Sequence, residues 1–409
     1  MNIWLINHYA VPTKYYPLGR PATFAKYLLR MGHKVTIFAA STVHNSDINL
    51  ITDGALYRED MVDDIHYVYV RDCAYRGNGI ARVINMLLFP SRLSRVCKHF
   101  EKPDVILSVS ATPMACMKGL NLAKKYNCRG VAEVADLWPE SFVAYGMIGK
   151  NNPFLKLMYA YEKRMYTKAD AIIFTMEGGK DYIVEKGWAT ANGGPVDLGK
   201  VYHINNGVDI EMFDYNKENC TVDDSDLDDS SFKNVIYTGS MREANSSIAI
   251  LPDVADELAN KGRTDIRILL YGKGDYANKL KNICEERGIK NLIYKGFVQK
   301  SEVPYLLSKV SVNILNCDKS DMSKYGSSQN KLFEYLASGH PILSGESDKY
   351  SIINNRNCGI SKQFNNPAEI AEAIIELVDH PEKYPNIRSV GEEYDFSILT
   401  SKLISIIEA

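Results

Sequence analysis

Short apolar segments alternate with helix-like stretches along the first half of this 409-residue chain. The segments NIWLIN, KVTIFAAS, DVILSVS, RGVAEVAD and AIIFTM are continuously or nearly continuously apolar, as buried strands are. Strands that alternate with helices in this way are typical of a parallel sheet covered by helices on both faces. Because the chain is too long for one ordinary hydrophobic core, we expect two domains.

An acidic stretch interrupts this pattern, which then begins again. Residues 214–231 read DYNKENCTVDDSDLDDSS, and we interpret them as an exposed connector because they contain few apolar residues. The second half continues with the strand candidates NVIYTG, DIRILLYGKG, NLIYKGF, VSVNILN and PILSG. Two α/β domains of this kind are expected to bind a ligand at the carboxyl ends of their strands. The spacing of Asp224 and Asp226 resembles a metal site, but no strand precedes them, so we expect no metal there.

Composition argues against several other classes of protein. The formal net charge of -2 makes a nucleic-acid partner unexpected. The eight cysteines contain no C-x-x-C pair, which argues against a zinc site and a disulfide framework and predicts a reducing cytoplasmic environment. No apolar run approaches the roughly 18 residues of a membrane span. The apolar run at the N-terminus is also too short for a signal peptide.

The stretch SSQNKLFEYLASGHPIL, residues 327–343, is the clearest candidate site. Ser327, Ser328 and Asn330 are expected at a helix N-cap, where unpaired N–H groups favour a phosphate. Lys331 adds a positive charge, and Glu334 lies on the same helix face. Because a carboxylate accepts two hydrogen bonds, Glu334 suits the paired hydroxyls of a ribose. The pattern predicts a nucleoside diphosphate site, with a dipole-favoured acid and a surface lysine as the plainer alternatives.

Glycines follow the strands of the second half, where they would allow sharp turns and the close approach of a ligand. They are Gly239, Gly272, Gly274 and Gly296, and Arg242 lies just after the first of them. Plain turn residues are the alternative interpretation. The segment YGKGDYA nearly matches a dinucleotide fingerprint, but the acid required about twenty residues later is missing. A nicotinamide cofactor is therefore not expected.

Longer stretches of the chain are similar to glycosyltransferases of family 4. The resemblance covers nearly the whole chain and rests on INHYAVP, FAKYLLRMGHKVTIFAAS, YRGNGIARVINMLLFPSRL, EVADLWPESF, NNGVD and NKLFEYLASGHPIL. It implies the GT-B fold, in which two Rossmann-like α/β domains face a central cleft. The implied domains are an acceptor-binding domain over 1–212, a nucleotide-sugar-binding domain over 213–385, and a C-terminal helix over 386–409 that packs back on the first domain.

Within the family, the chain resembles the bacterial subgroup that builds O-antigen and capsule units, including fucosamine transferases. This implies a retaining hexosyltransferase that moves a sugar, expected to be an N-acetylamino sugar, from a UDP-sugar to a lipid-linked or saccharide acceptor. No metal or other cofactor is implied. Two alternatives remain: a UDP-sugar 2-epimerase of GT-B fold, and a non-catalytic nucleotide-sugar-binding homologue.

The resemblance also assigns donor-binding residues. Glu334 matches the second glutamate of the family's E-x7-E motif, whereas the first falls on Gly326. Arg242 matches the arginine of the family's Arg-x4-Lys pair, but the lysine position holds Ser247, so Lys331 is expected to supply the second charge. The expected donor-binding residues are Gly19, Arg20, Gly239, Ser240, Arg242, Gly272, Gly274, Phe297, Val298, Ser328, Gln329, Asn330, Lys331, Leu332 and Glu334.

The expected catalytic group consists of Asp136, Arg242, Lys331 and Glu334. Arg242 and Lys331 would stabilise the charge on the leaving diphosphate. Asp136, in EVADLWPE, would orient the acceptor hydroxyl, and His8 is a second acceptor-side candidate. The alternatives are a loop or N-cap role for Asp136 and a structural role for His8.

Residues 71–102 combine basic and apolar side chains, as membrane-surface segments do. The basic residues of this segment are Arg71, Arg76, Arg82, Arg92, Arg95, Lys98 and Lys102. The apolar residues among them are Ile84, Met86, Leu87, Leu88, Phe89 and Leu93. We expect this segment to bind an anionic membrane at its cytoplasmic face, where the resemblance places a polyprenyl-diphosphate-linked saccharide acceptor. A core helix with a solvated basic face is the alternative.

Overall fold

The computed structural model describes residues 1–12, 15, 19–44, 46–77, 79–144, 146–242, 246–317, 323–346 and 349–409. The chain divides into two compact units: unit 1 contains Met1–Asn205 and Phe396–Ala409, and unit 2 contains Asn206–Asp395. These limits differ from the predicted boundaries at 212/213 and 385/386. Residues 386–395 stay in unit 2 because Ile387 and Val390 are buried in its core.

Unit 1 contains a sheet of eight strands in the order β3-β4-β2-β1-β5-β6-β7-β8, in which β3 is antiparallel to β4 and the other pairs are parallel. Its strands are β1 (Asn2–Ile6), β2 (Lys34–Ala40), β3 (Tyr57–Val62), β4 (Ile65–Val70), β5 (Val105–Val109), β6 (Arg129–Val134), β7 (Ala171–Phe174) and β8 (Val201–His203). Its helices are α1 (Arg20–Arg30), α2 (Ile80–Val96), α3 (Pro113–Tyr126), α4 (Glu140–Ala144), α5 (Pro153–Lys168), α6 (Gly179–Glu185) and the last helix of the chain, α17 (Phe396–Glu408).

Unit 2 contains a parallel sheet of six strands in the order β11-β10-β9-β12-β13-β14. Its strands are β9 (Lys233–Thr238), β10 (Ile266–Tyr271), β11 (Leu292–Gly296), β12 (Val312–Asn316), β13 (Ile342–Ser344) and β14 (Gly359–Ser361). Its helices are α7 (Ile210–Asn219), α8 (Ser225–Asp228), α9 (Ser246–Ala249), α10 (Leu251–Asn260), α11 (Tyr276–Arg287), α12 (Val303–Ser308), α13 (Asn330–Ser338), α14 (Ile352–Asn355), α15 (Pro367–Asp379) and α16 (Ile387–Glu392). The two units confirm the predicted α/β fold class.

The acidic stretch 214–231 is a folded part of unit 2, so its interpretation as a connector is wrong, although most of its residues are half-buried or exposed. Leu227 in α8 is buried, and Asp226 Oδ1 lies 2.9 Å from Arg267 Nη1. Lys295 Nζ lies 2.6 Å from Asp224 Oδ1 and 2.6 Å from Asp226 Oδ2. Basic side chains from β10 and β11 therefore balance the two acids whose spacing resembles a metal site. Across the described residues, no group of three or more His, Cys, Asp or Glu side chains is arranged to hold a metal ion.

Helix α17 packs within unit 1, although unit 2 separates it from the rest of that unit in the chain. The ring of Phe396 meets that of Phe24 in α1 edge to face, with centroids 5.3 Å apart. Leu399 and Leu403 are buried in the same core. In the part of the chain that the structure describes, no helix is long and apolar enough to cross a membrane.

Candidate functional site

Three neighbouring strands of unit 2 end in glycine turns that lie against one another. Gly239 N donates to Tyr271 O at 2.9 Å, and Gly272 N donates to Gly296 O at 2.7 Å. A Cβ atom added to Gly272 would lie 1.7 Å from Gly239 O, so a larger residue does not fit between the turns. The ends of β9, β10 and β11 thus form one backbone surface, which we call the glycine surface. A surface without side chains allows a ligand to approach the main chain closely.

A buried tyrosine fixes α13 to the end of β9. Thr238 N donates to Tyr335 Oη at 3.1 Å, and Thr238 Oγ1 lies 2.9 Å from the same hydroxyl. Leu332, which the sequence predicts at the donor, is buried in the core of unit 2 and anchors the first turn of the helix. Its side chain therefore has a packing role.

The N-cap of α13 is Gln329, and not Ser327, Ser328 or Asn330 as the sequence predicts. Gln329 makes no side-chain capping bond; its Nε2 donates to Glu346 Oε1 at 3.3 Å. The carbonyl of Ser328 accepts a hydrogen bond from Asn206 Nδ2 at 2.5 Å. The N-cap residue therefore contributes no side-chain bond to the first turn of α13, a condition that favours an anion at this helix end.

Lys331 reaches from the first turn of α13 to the glycine surface. Its Nζ donates to Leu315 O at 3.0 Å and lies 4.3 Å from the centroid of the Tyr237 ring. A Cβ atom added to Gly239 would lie 3.5 Å from this Nζ. Burial lowers the pKa of Lys331 to about 8. The structure thus places a desolvated ammonium group beside the turn of β9, where an anionic ligand would stabilise its charged form.

The positions that depart from the family motifs have structural roles. Ser247 is buried, and its Oγ accepts a hydrogen bond from Cys317 N at 3.1 Å. Gly326 has a φ angle of +95°, a backbone conformation that favours glycine over glutamate. Arg242 is exposed just after the turn of β9. Of the residues predicted to contact the diphosphate with a positive charge, Arg242 and Lys331 therefore both lie at this end of the sheet.

Glu334 lies one turn further along α13 and pairs with Lys300, which is not among the predicted site residues. Its Oε1 contacts Lys300 Nζ, and the Glu334 side chain is 14% exposed. Lys300 begins a 3-10 turn that follows the loop after β11. The turn is closed by a capping box between Gln299 and Glu302. The pattern QKSE, shortly after the strand candidate NLIYKGF, is the sequence signal that could have identified this turn.

The other expected donor-side residues of unit 2 lie at strand ends. Phe297 is exposed, with Lys273 Nζ 4.2 Å from its ring centroid, whereas Val298 packs partly against the core. Ser240 O accepts a hydrogen bond from Tyr237 Oη at 3.2 Å. A Cβ atom added to Gly274 would lie 2.1 Å from Met241 O, so this glycine also allows a close backbone contact.

In unit 1, Arg20 is used in internal contacts. Its Nε lies 3.1 Å from Glu133 Oε2, its Nη1 donates to Asn205 O at 2.6 Å, and its Nη2 donates to Ile204 O at 2.9 Å. These bonds join α1 to β6 and to the segment after β8. Gly19 is the N-cap of α1. The structure thus gives Arg20 internal contacts, and its donor contact stays a prediction.

His8 is also internal, because only 1% of its surface is exposed. Its Nε2 lies 2.7 Å from Asn85 Oδ1 and 3.6 Å from Asp72 Oδ2. Burial lowers the pKa of His8 to about 4 and raises the pKa of Asp72 to about 7. A neutral, enclosed imidazole fits the structural alternative, and the predicted contact between His8 and an acceptor is not supported.

Asp136 differs from His8 because its side chain is open to solvent at the end of β6. The protein around it nevertheless displaces enough water to raise its pKa. The following helix α4 is fixed by Glu140, whose Oε2 lies 2.5 Å from Lys186 Nζ and accepts a hydrogen bond from Tyr159 Oη at 2.5 Å. Asp136 is therefore an accessible acid on a firmly held segment, as an acceptor-orienting residue requires.

Two family models match this chain. The family model described as Glycosyltransferase Family 4 matches residues 22–212, and the model described as Glycosyl transferases group 1 matches residues 232–380. No curated protein matches the chain. Similar solved structures include HepE from Anabaena in complex with UDP, with a TM-score of 0.65 and 12% identity over 100% of both chains.

Two further structures are comparably similar. One is the trehalose-6-phosphate structure from E. coli bound with UDP-2-fluoro glucose, with a TM-score of 0.71 and 11% identity over 100% of this chain and 99% of the other. The second is WaaG, a glycosyltransferase involved in lipopolysaccharide biosynthesis, with a TM-score of 0.64 and 11% identity over 99% of each chain. Structural similarity at these low sequence identities shows the fold of the chain. The two family models show its family. The chain therefore belongs to the glycosyltransferases of family 4 type and has the GT-B fold.

Proposed function

We propose that this glycosyltransferase transfers a sugar from a UDP-sugar to a lipid-linked or saccharide acceptor during assembly of bacterial cell-surface polysaccharide such as O-antigen or capsule. The observation that carries the proposal is the placement of Lys331 at the glycine surface with Glu334 one turn away on α13. The bound UDP and UDP-2-fluoro glucose of two similar structures support a UDP-sugar donor. The role of WaaG in lipopolysaccharide biosynthesis supports a role in the assembly of cell-surface polysaccharide.

The proposed mechanism follows from the charges that the reaction creates. When the bond between the anomeric carbon and the diphosphate oxygen breaks, the diphosphate gains negative charge and the sugar gains positive character. Lys331, Arg242 and the first N–H groups of α13 stabilise the diphosphate. The acceptor oxygen attacks from the face that the diphosphate leaves, and its proton passes to the leaving phosphate. This path retains the anomeric configuration and needs no metal, while Asp136 orients the acceptor hydroxyl.

The test begins with a thermal-shift screen of UDP-sugars, including UDP-N-acetylamino sugars. The UDP-sugar that stabilises the protein is then incubated with an undecaprenyl-diphosphate-linked saccharide. We expect UDP release, a product with retained anomeric configuration by NMR, and unchanged rates in EDTA. Formation of an epimer from UDP-GlcNAc without acceptor would identify the epimerase instead. Donor binding without turnover across the acceptor series would identify a non-catalytic homologue.

We also propose that α2 places the enzyme at an anionic membrane surface on the cytoplasmic side. Met86, Phe89 and Leu93 are buried in unit 1, so the expected membrane contact is narrower than the whole segment 71–102. A separate apolar stripe faces outward with helical i, i+3, i+4, i+7 spacing. It consists of Ile80, Val83, Ile84 and Leu87, which are 80%, 52%, 47% and 53% exposed. Exposed basic side chains before and after the stripe belong to Arg76, Arg95, Lys98 and Lys102.

Vesicle flotation tests this surface. We expect binding to vesicles that contain phosphatidylglycerol, and weaker binding to pure phosphatidylcholine or at high salt, because the basic groups attract anionic lipid. Ile84→Glu should reduce binding severalfold because it places a charge in the apolar stripe. Ile398→Glu on α17 is the matched control, since Ile398 is 42% exposed but lies outside α2. Equal binding by both variants would contradict the proposal.

A further inference from the structure

The ion pair between Lys300 and Glu334 joins two parts of unit 2 that the proposed function places at the donor. Lys300 follows the loop after β11, and Glu334 lies on α13. Their side chains are 35% and 14% exposed, so the pair is partly shielded from water but remains within reach of a ligand. The capping box of Gln299 and Glu302 holds the backbone of Lys300, with Gln299 N donating to Glu302 Oε2 at 2.5 Å.

The pair offers hydrogen-bond donors and acceptors side by side. A lysine ammonium group has three N–H donors, and a carboxylate has two oxygens that together accept about four hydrogen bonds. The contact between Lys300 Nζ and Glu334 Oε1 uses one of these donors and restrains the carboxylate. A ribose hydroxyl is both a donor and an acceptor, so it can donate to Glu334 and accept from Lys300 at the same time.

We propose that Lys300 and Glu334 recognise the ribose diol as one unit, in which Lys300 orients the carboxylate and donates to the 2′-hydroxyl oxygen. This inference rests on the proposed function, because it assumes a ribonucleotide donor. It assigns to Lys300 a role in positioning the Glu334 carboxylate and a part in the selection of ribose over deoxyribose. A site built from buried or half-buried polar groups discriminates strongly against a ligand that lacks the matching hydroxyl, because its own groups then lose their partner.

The experiment compares UDP with 2′-deoxy-UDP by isothermal titration calorimetry. We expect the wild-type protein to bind UDP at least about tenfold more tightly than 2′-deoxy-UDP, as the loss of a charge-assisted hydrogen bond requires. Lys300→Met should weaken UDP binding by about tenfold while leaving 2′-deoxy-UDP binding nearly unchanged. Lys300→Arg should restore much of the preference, because it returns a cationic donor.

Two further variants show whether the residues act together. Lys300→Met should have little additional effect in a Glu334→Gln background, since coupled residues give non-additive losses. Lys309→Met is the matched control, because Lys309 pairs with exposed Asp228 at 3.3 Å on the same unit and should leave both affinities unchanged. Circular dichroism and thermal unfolding verify that each variant is folded.

The possible outcomes separate the two proposals. If Lys300→Met weakens UDP and 2′-deoxy-UDP by the same factor, Lys300 does not act through the 2′-hydroxyl, and its assignment to that hydroxyl is wrong. If neither affinity changes, the pair has no role in recognition. If the wild-type protein binds none of UDP, GDP and ADP, the nucleotide-donor function itself fails, and the Lys300 inference fails with it.

Discussion

The ammonium group of Lys331 occupies a position where water solvates it poorly. Among the described residues, this ammonium group donates to one carbonyl oxygen, from Leu315, and lies over the face of the Tyr237 ring, and the charge of Glu346 also acts on it. These contacts do not offset the burial that lowers its pKa to about 8. A bound diphosphate would supply the missing negative charge and return the pKa toward its ordinary range. We therefore expect binding of the proposed donor to be accompanied by proton uptake at this residue.

This coupling predicts that UDP affinity depends on pH. With a pKa of about 8, Lys331 is mostly charged near pH 7 in the free enzyme, so UDP affinity should be highest there and should begin to fall as the pH approaches 8. Above pH 8 a proton must be taken up on binding, and the affinity should fall by up to about tenfold per pH unit. Calorimetric titrations from pH 7 to 10 measure this profile.

Two substitutions test whether Lys331 causes this dependence. Lys331→Arg keeps its charge over the whole range and should bind UDP with a nearly flat profile. Lys331→Ala should bind weakly at every pH and lower kcat by about a hundredfold or more, as the loss of one stabilising contact to developing charge does. A profile in Lys331→Arg that matches the wild-type profile would assign the pH dependence to another group.

The sequence predicts the location of a residue well when the residue belongs to a local motif. It predicts the location poorly when the residue's partners are distant in the chain. Lys331 and Glu334 share one helix, so their spacing alone predicts that they lie at one end of unit 2. Arg20 and His8 cannot be assigned in this way, because their partners Glu133 and Asn85 are distant in sequence. Glu334 shows both effects: its position follows from the motif, whereas its partner is visible only in the folded unit.

At the scale of secondary structure, the glycine surface determines how β9, β10 and β11 of unit 2 end. Gly239 and Gly272 bring the turns of β9 and β10 into backbone contact, which side chains would prevent. Apolar segments and glycines suffice to predict these strands and turns, because both signals are local. The strand β3 is not among the predicted strands because its sequence YREDMV has no continuous apolar run, and its six residues are half-buried or exposed.

Gly272→Ala should therefore destabilise unit 2 and weaken UDP binding. The new methyl group would meet Gly239 O and push the two turns apart, at a cost of roughly 1–3 kcal/mol in the free energy of unfolding. Gly149→Ala is the control, because no atom lies within 4 Å of the Cβ position there. Urea unfolding followed by far-UV circular dichroism measures the free energy of unfolding of each variant. Equal values for the two variants would refute the packing argument.

At the scale of the whole molecule, unit 1 is assembled from two separate parts of the chain. The three tryptophans, Trp4, Trp138 and Trp188, all lie in this unit, so tryptophan fluorescence reports its unfolding and not that of unit 2. The contribution of α17 to unit 1 can thus be measured in the intact protein.

Leu403→Ala should lower the stability of unit 1 by about 2–5 kcal/mol, because Leu403 is 1% exposed and its truncation leaves a cavity. Fluorescence-detected urea unfolding gives this value. Lys402→Ala, an exposed neighbour on the same helix, should change the stability by less than about 0.5 kcal/mol. Similar losses in both variants would mean that α17 does not stabilise the unit through its buried face.

The late position of α17 in the chain also has a consequence for protein synthesis. A ribosome completes every residue of unit 2 before it translates this helix. Until then, the side of α1 around Phe24 has no cover from Phe396 and stays accessible to water. The half of the enzyme that is begun first is therefore the half that matures last, and chaperones that bind nascent apolar surface would find their target there.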